Sequence, residues 1–79
     1  MFYTYILRSI SHPDRRYIGS TSDLRKRLAV HNADGVSHTA KIRPGKVEVY
    51  IALALEERAR AFDIYLKIGS GHAFAKRHF

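Results

Sequence analysis

The sequence predicts an α/β (α+β) domain, a three-stranded antiparallel sheet flanked by helices in the order β-β-α-β-α-α. Three patterns carry that prediction. Two runs rich in aromatic and β-branched residues near the amino terminus are separated by a turn composition. Residues 46–53 alternate between apolar and less apolar side chains, the period of a half-buried strand. Two stretches, after residue 21 and after residue 55, repeat their apolar residues at helical spacing. With 79 residues and 46% hydrophobic content, the chain suits a single domain over residues 1–79 and leaves no room for a second core.

Taken in order, Phe2 to Arg8 carries no breaker and reads as the first strand. Ser9 to Asp14 holds Ser, His, Pro and Asp, a loop composition, and Arg16 to Thr21 reads as the second strand. A hairpin turning at His12 sets position 5 opposite 19 and position 7 opposite 17, so Tyr5 and Tyr17 become diagonal neighbours on one face. Thr21 or Ser22 is placed to cap a helix ending near Asn32, with Asp23 in its first turn and Leu24 and Leu28 on its buried side. At 100° per residue, Arg27 and His31 fall at the edge of that apolar stripe.

Asp34-Gly35 and Arg43-Pro44-Gly45 mark a basic loop, and Val47, Val49, Ile51 and Leu53 form the inward set of a third strand. From Leu55 to Ile68 apolar residues cover most of a helix circumference, which predicts deep packing. Gly69-Ser70-Gly71 reads as a stop, and His72 to Phe79 as a short basic helix anchored by Phe74.

Charge narrows the partner. Fourteen Lys and Arg against seven Asp and Glu give a net charge of +7, a field that attracts polyanions and favours DNA, or RNA, ahead of an acidic membrane surface. No cysteine is present, which removes disulfides and thiolate zinc sites and suits a reducing cytoplasm. Five histidines without close paired spacing do not suggest a zinc site. No run reaches the 18 apolar residues of a membrane span, so no membrane association is expected. A monomer is favoured.

Tyr3-Thr4-Tyr5 and Tyr17-Ile18-Gly19, followed by Ser20-Thr21-Ser22-Asp23-Leu24-Arg25-Lys26-Arg27-Leu28 and His31, resemble the core of the GIY-YIG nuclease family, in particular its small stand-alone members. The resemblance extends from Tyr3 through Leu66-Lys67 and Gly69-Ser70-Gly71. It implies that Tyr5 and Tyr17 supply the active-site phenols, Arg27 the catalytic arginine and His31 the histidine one turn further on. It also implies one Mg²⁺ or Mn²⁺ ion, held in the family by a glutamate whose matching position here is Asp63. His38-Thr39-Ala40-Lys41 and Pro44 look like the basic loop of these small members.

The chemistry of phosphodiester hydrolysis needs such a set. Water attacks phosphorus in line, so the site must accept a proton, offset charge on the phosphoryl oxygens and stabilise the departing alkoxide. A phenol accepts the proton only as its ionised form, which a nearby cation favours. An arginine fork matches phosphate oxygens and stays charged. Mg²⁺ uses one or two protein carboxylates and keeps several waters. Lys41, Arg43, Lys46, Lys67, Lys76 and Arg77, with His38, are the candidates for holding the phosphate backbone.

The expected function is therefore a metal-dependent nuclease acting on DNA with low sequence specificity. The alternative is a non-catalytic nucleic-acid-binding module on the same fold. Asp63 serves either reading, since it lies three residues after Arg60 and four before Lys67, the spacing of helix ion pairs.

Overall fold

The computed structural model describes residues 1–33 and 44–79. Its elements are β1 (Phe2–Ser9), β2 (Arg16–Thr21), α1 (Leu24–Asn32), β3 (Gly45–Leu53), α2 (Glu56–Lys67) and α3 (Gly69–His78), in the predicted order. The sheet is three-stranded and antiparallel, ordered β2-β1-β3. Its central position explains why β1 is buried without interruption from Thr4 to Leu7, whereas β3, on an edge, alternates strictly.

The β1–β2 register pairs Tyr5 with Gly19 and Leu7 with Tyr17, as the turn composition predicts. Backbone bonds from Ser9 N–H to Arg15 O (3.0 Å) and from Arg15 N–H to His12 O (2.9 Å) close the hairpin loop. Between β1 and β3 the register shifts, Ile6 facing Val49 and Leu7 facing Val47. Glu48 is thus the extra residue of a β-bulge. Its carboxylate accepts from Arg8 and, at 2.9 Å, from Arg16. The Arg8 guanidinium is the main reason that the Glu48 carboxyl lies below the usual carboxylate range.

Successive strand residues point to opposite faces, and the helices divide accordingly. On the face of Tyr5 and Leu7, α1 packs Leu24 and Leu28. On the opposite face, the Thr4 hydroxyl donates to the Ala59 carbonyl of α2 at 2.7 Å. The end of α1 is tied to β3 by two bonds, from Asn32 Nδ2 to Gly45 O (3.1 Å) and from Gly45 N–H to Asn32 Oδ1 (2.8 Å).

Four sequence expectations are corrected. Asp23, not Thr21 or Ser22, caps α1, because its carboxylate accepts the Lys26 N–H at 3.0 Å while Thr21 Oγ1 accepts the N–H of Asp23 itself. The second long helix is not deeply packed. Only Ala59 and Leu66 of α2 are buried, two turns apart on one stripe, because a three-stranded sheet offers one face to it; Ile64 stays exposed.

Helix α3 begins at Gly69 rather than at His72. The two helices are separated by the single residue Ile68 in extended conformation, and Gly69, which opens α3, takes a positive φ of 50° that glycine adopts without strain. Phe74 is not the anchor of α3: it stays exposed, its ring tilted against that of His78 at 4.7 Å between centroids. Gly71 and Ala75 are the buried residues. A Cβ at Gly71 would fall 1.8 Å from the Tyr65 carbonyl oxygen, so the close crossing of α2 and α3 requires glycine there.

Candidate active site

Tyr5 lies on the central strand and is 2% exposed. Tyr17 lies on the neighbouring edge strand, half-buried, with its ring centroid 6.4 Å from that of Tyr5. Gly19 makes this approach possible. It faces Tyr5 across the ladder, and a Cβ there would stand 2.6 Å from Tyr5 Oη and 3.0 Å from Tyr17 Cε1. Sequence reasoning treats Gly19 only as the end of a strand; a glycine inside a strand pattern is the signal for such a close approach.

Helix α1 brings Arg27 and His31 to the same face, but not equally. The Asn32–Gly45 clamp seats the carboxyl end of α1 on the sheet, and His31 is 2% exposed with its ring 6.3 Å from that of Tyr17. Arg27, one turn earlier, is exposed and lines a cleft of about 220 Å³ with Ser20, Thr21, Ser22, Glu56 and Arg60. Helix α2 supplies Asp63, which acts electrostatically on Tyr5 together with Arg27.

Burial pushes the Tyr5 phenol up to about 12, Tyr17 and Asp63 add to the shift, and Arg27 opposes it. The four groups therefore share one electrostatic environment. Raised above the unfolded value of about 10, Tyr5 stabilises the fold below that pH and ceases to between about 10 and about 12, where the unfolded chain loses its proton first. Tyrosinate absorbance should show one of the five tyrosines ionising last, near 12, and Tyr5→Phe should remove that step. A last step that survives the substitution would contradict the assignment.

Asp63 forms an ion pair with Lys67, Oδ1 to Nζ 3.0 Å, and its side chain is only 14% exposed. The buried Oδ1 receives no well-directed hydrogen bond, so it retains capacity to bind a cation. Among the described residues no three His, Cys, Asp or Glu side chains converge. That donor set suits an ion that keeps most of its waters, such as Mg²⁺ or Mn²⁺, and not a fully protein-ligated one.

A second cleft, of about 560 Å³, runs from Tyr17 to α3 and is lined by Arg16, Lys67, His72 and Lys76 together with Asp14. Lys67 and Lys76 are thus brought beside the phenols, and Arg16 and His72 join them unforeseen. Arg77 follows Lys76 on α3 and lines the next hollow along that helix. Lys46 lies on β3, the edge strand away from β2. His38, Lys41 and Arg43 lie outside the described residues.

The family model of the GIY-YIG catalytic domain matches residues 1–73. The chain belongs to the GIY-YIG family. Among curated relatives, the structure-specific endonuclease subunit SLX1 of Candida dubliniensis is 35% identical over 98% of this chain and 28% of its own length. The SLX1 subunit of Malassezia globosa is 39% identical over 65% of this chain and 12% of its own length. This GIY-YIG domain therefore spans well under a third of the relatives it matches. No solved structure matches it significantly. A catalytic-domain family and two endonuclease relatives support nuclease activity.

Proposed function

We propose that this GIY-YIG domain hydrolyses DNA phosphodiester bonds with one Mg²⁺ or Mn²⁺ ion, reading the shape and charge of the backbone with low sequence specificity. The observation that carries the proposal is the convergence of Tyr17, Arg27 and Asp63 on Tyr5, from two strands and two helices, with Gly19 making room for the two phenols. Two relatives described as structure-specific endonuclease subunits agree with recognition of shape.

Each residue has a distinct task. Arg27, exposed in its cleft, places its planar fork on two oxygens of the scissile phosphate and offsets the charge that grows there. Tyr17, half-buried at the mouth of the second cleft, accepts the proton of the attacking water as its phenolate. Tyr5 is buried and held neutral by the shift described above, so it donates a hydrogen bond and does not act as the base. His31 packs against Tyr17 and fixes its ring.

Asp63 would hold the divalent ion through Oδ1, the remaining positions filled by water and phosphate. When bound, such an ion supplies Lewis acidity, acidifying water and offsetting charge on the departing oxygen. Lys67, Lys76 and Arg77 line the path of the flanking backbone on the α3 side. Lys46, on the far edge strand, would contact only DNA that wraps around the sheet.

Asp63 provides the test. Asp63→Asn removes the anionic ligand and should abolish metal-dependent cleavage, while Asp63→Glu keeps charge and donor type and should retain it. Because Asp63→Asn removes the charge along with the need to pair it and Asp63→Glu keeps that charge next to Lys67, both variants should remain folded. Equal activity in wild type and Asp63→Asn would remove Asp63 from the site.

A further inference from the structure

We propose that the ammonium of Lys67 is the resident cation of the Asp63 site, so that a divalent ion binds only by displacing Lys67, which thereby sets the metal affinity of the domain. The inference rests on the reading of Asp63 as the metal ligand. It adds a competitor supplied by the chain itself.

Two observations separate this pair from ordinary helix ion pairs. On the same helix, Arg60 and Glu56 also stand at i,i+4 spacing, but at 3.7 Å and with both side chains well exposed. The Asp63–Lys67 contact is shorter, 3.0 Å, and its carboxylate is largely withdrawn from water. A carboxylate in that position needs a cation, because burial without one disfavours the charged form. Lys67 supplies it from the last residue of α2 by leaning back one turn.

The position of the ammonium also matches what a metal needs. Nζ is 3.0 Å from Asp63 Oδ1 and 5.9 Å from the centroid of the Tyr17 ring. It therefore occupies the cation position at Oδ1 and lies over the face of the Tyr17 ring, on the side from which an ion held by Asp63 would meet that residue. Two cations cannot share one carboxylate oxygen at that range without strong repulsion. Lys67 has somewhere to go, since it is half exposed and already borders the cleft of Arg16, His72 and Lys76. Loading the site thus releases a positive charge toward the groove proposed for the flanking phosphates.

The experiment measures metal affinity without DNA. The full chain is titrated with Mn²⁺, and the free ion is followed by electron paramagnetic resonance. Lys67→Met keeps the alkyl stem and removes the competitor, so Mn²⁺ should bind roughly fivefold tighter, the equivalent of about 1 kcal/mol of relieved pairing. Lys67→Arg retains a competing cation and should stay within about twofold of wild type. Lys76→Met removes a charge from the same cleft without touching Asp63 and should also change affinity by less than about twofold.

The proposal is overturned if Lys67→Met leaves affinity unchanged or weakens it, if Lys76→Met tightens binding equally, or if neither wild type nor Lys67→Met binds Mn²⁺. Asp63→Asn in the Lys67→Met background should abolish the gain; if it does not, the ion sits elsewhere and the proposal falls. Unchanged affinity in Lys67→Met together with chelator-sensitive cleavage by wild type would remove the competitor and leave the nuclease reading intact.

Discussion

Arg27→Ala should lower the cleavage rate roughly a hundred- to a thousandfold, the usual consequence of removing one preorganised donor from a charge that develops in the transition state. Affinity for DNA should fall far less, because Arg27 is assigned to one phosphate while Lys67 and Lys76 line a separate cleft and Arg77 the hollow next to it. Its side chain is exposed, so stability should change by no more than about 0.5 kcal/mol. Single-turnover cleavage and equilibrium binding, measured on the same variant, separate the two effects. Parallel losses in both would make Arg27 a general backbone contact and would take it out of the chemistry.

Gly19→Ala should damage the site without touching a catalytic group. The added Cβ would lie 2.6 Å from Tyr5 Oη and 2.8 Å from Tyr5 Cζ, and Tyr5 is enclosed by Leu7, Leu24 and Leu28. With no room to retreat, the ring shifts or the strand bends, at a cost of about 1–3 kcal/mol. A displacement of about an ångström at the phenols should reduce cleavage by about a hundredfold. Chemical denaturation and cleavage rate are the measurements, and the rate loss should persist well below the denaturation midpoint. A variant of wild-type stability and rate would show that the phenols need no such approach.

Much of this site was legible because it depends on local spacing. The turn residues between the first two strands set a register that puts position 5 opposite 19, and the observed pairing follows it. The 3.6-residue period placed Arg27 and His31 near one face of α1. What it could not show was their unequal depth, which depends on the long-range clamp between Asn32 and Gly45. The apolar pattern of α2 predicts more burial than the helix has, because periodicity reports how apolar a helix is and not how much sheet is available to cover it.

Gly69-Ser70-Gly71 was read as a simple stop. The break falls at the extended Ile68, Gly69 opens the next helix with a positive φ, and Gly71 permits the crossing with Tyr65. Neither role can be separated in sequence. His72 reaches the cleft beside Tyr17, where Arg16 already stands on β2, through the docking of α3, a contact between elements that no local pattern encodes. Asp63 carried both spacings of a helix ion pair, and the fold selects Lys67 as its partner while Arg60 turns to Glu56.

Whether this GIY-YIG domain is a metal-dependent nuclease is decided by cleavage of single-stranded, duplex and branched DNA by the wild-type chain, with Mg²⁺ or Mn²⁺ and then with excess chelator. Strand scission should be stopped by chelator and restored by added metal, with branch geometry changing the rate more than base sequence does. Binding to all of these DNAs with no scission at any metal concentration would contradict it and would leave the domain a nucleic-acid-binding module on a nuclease fold.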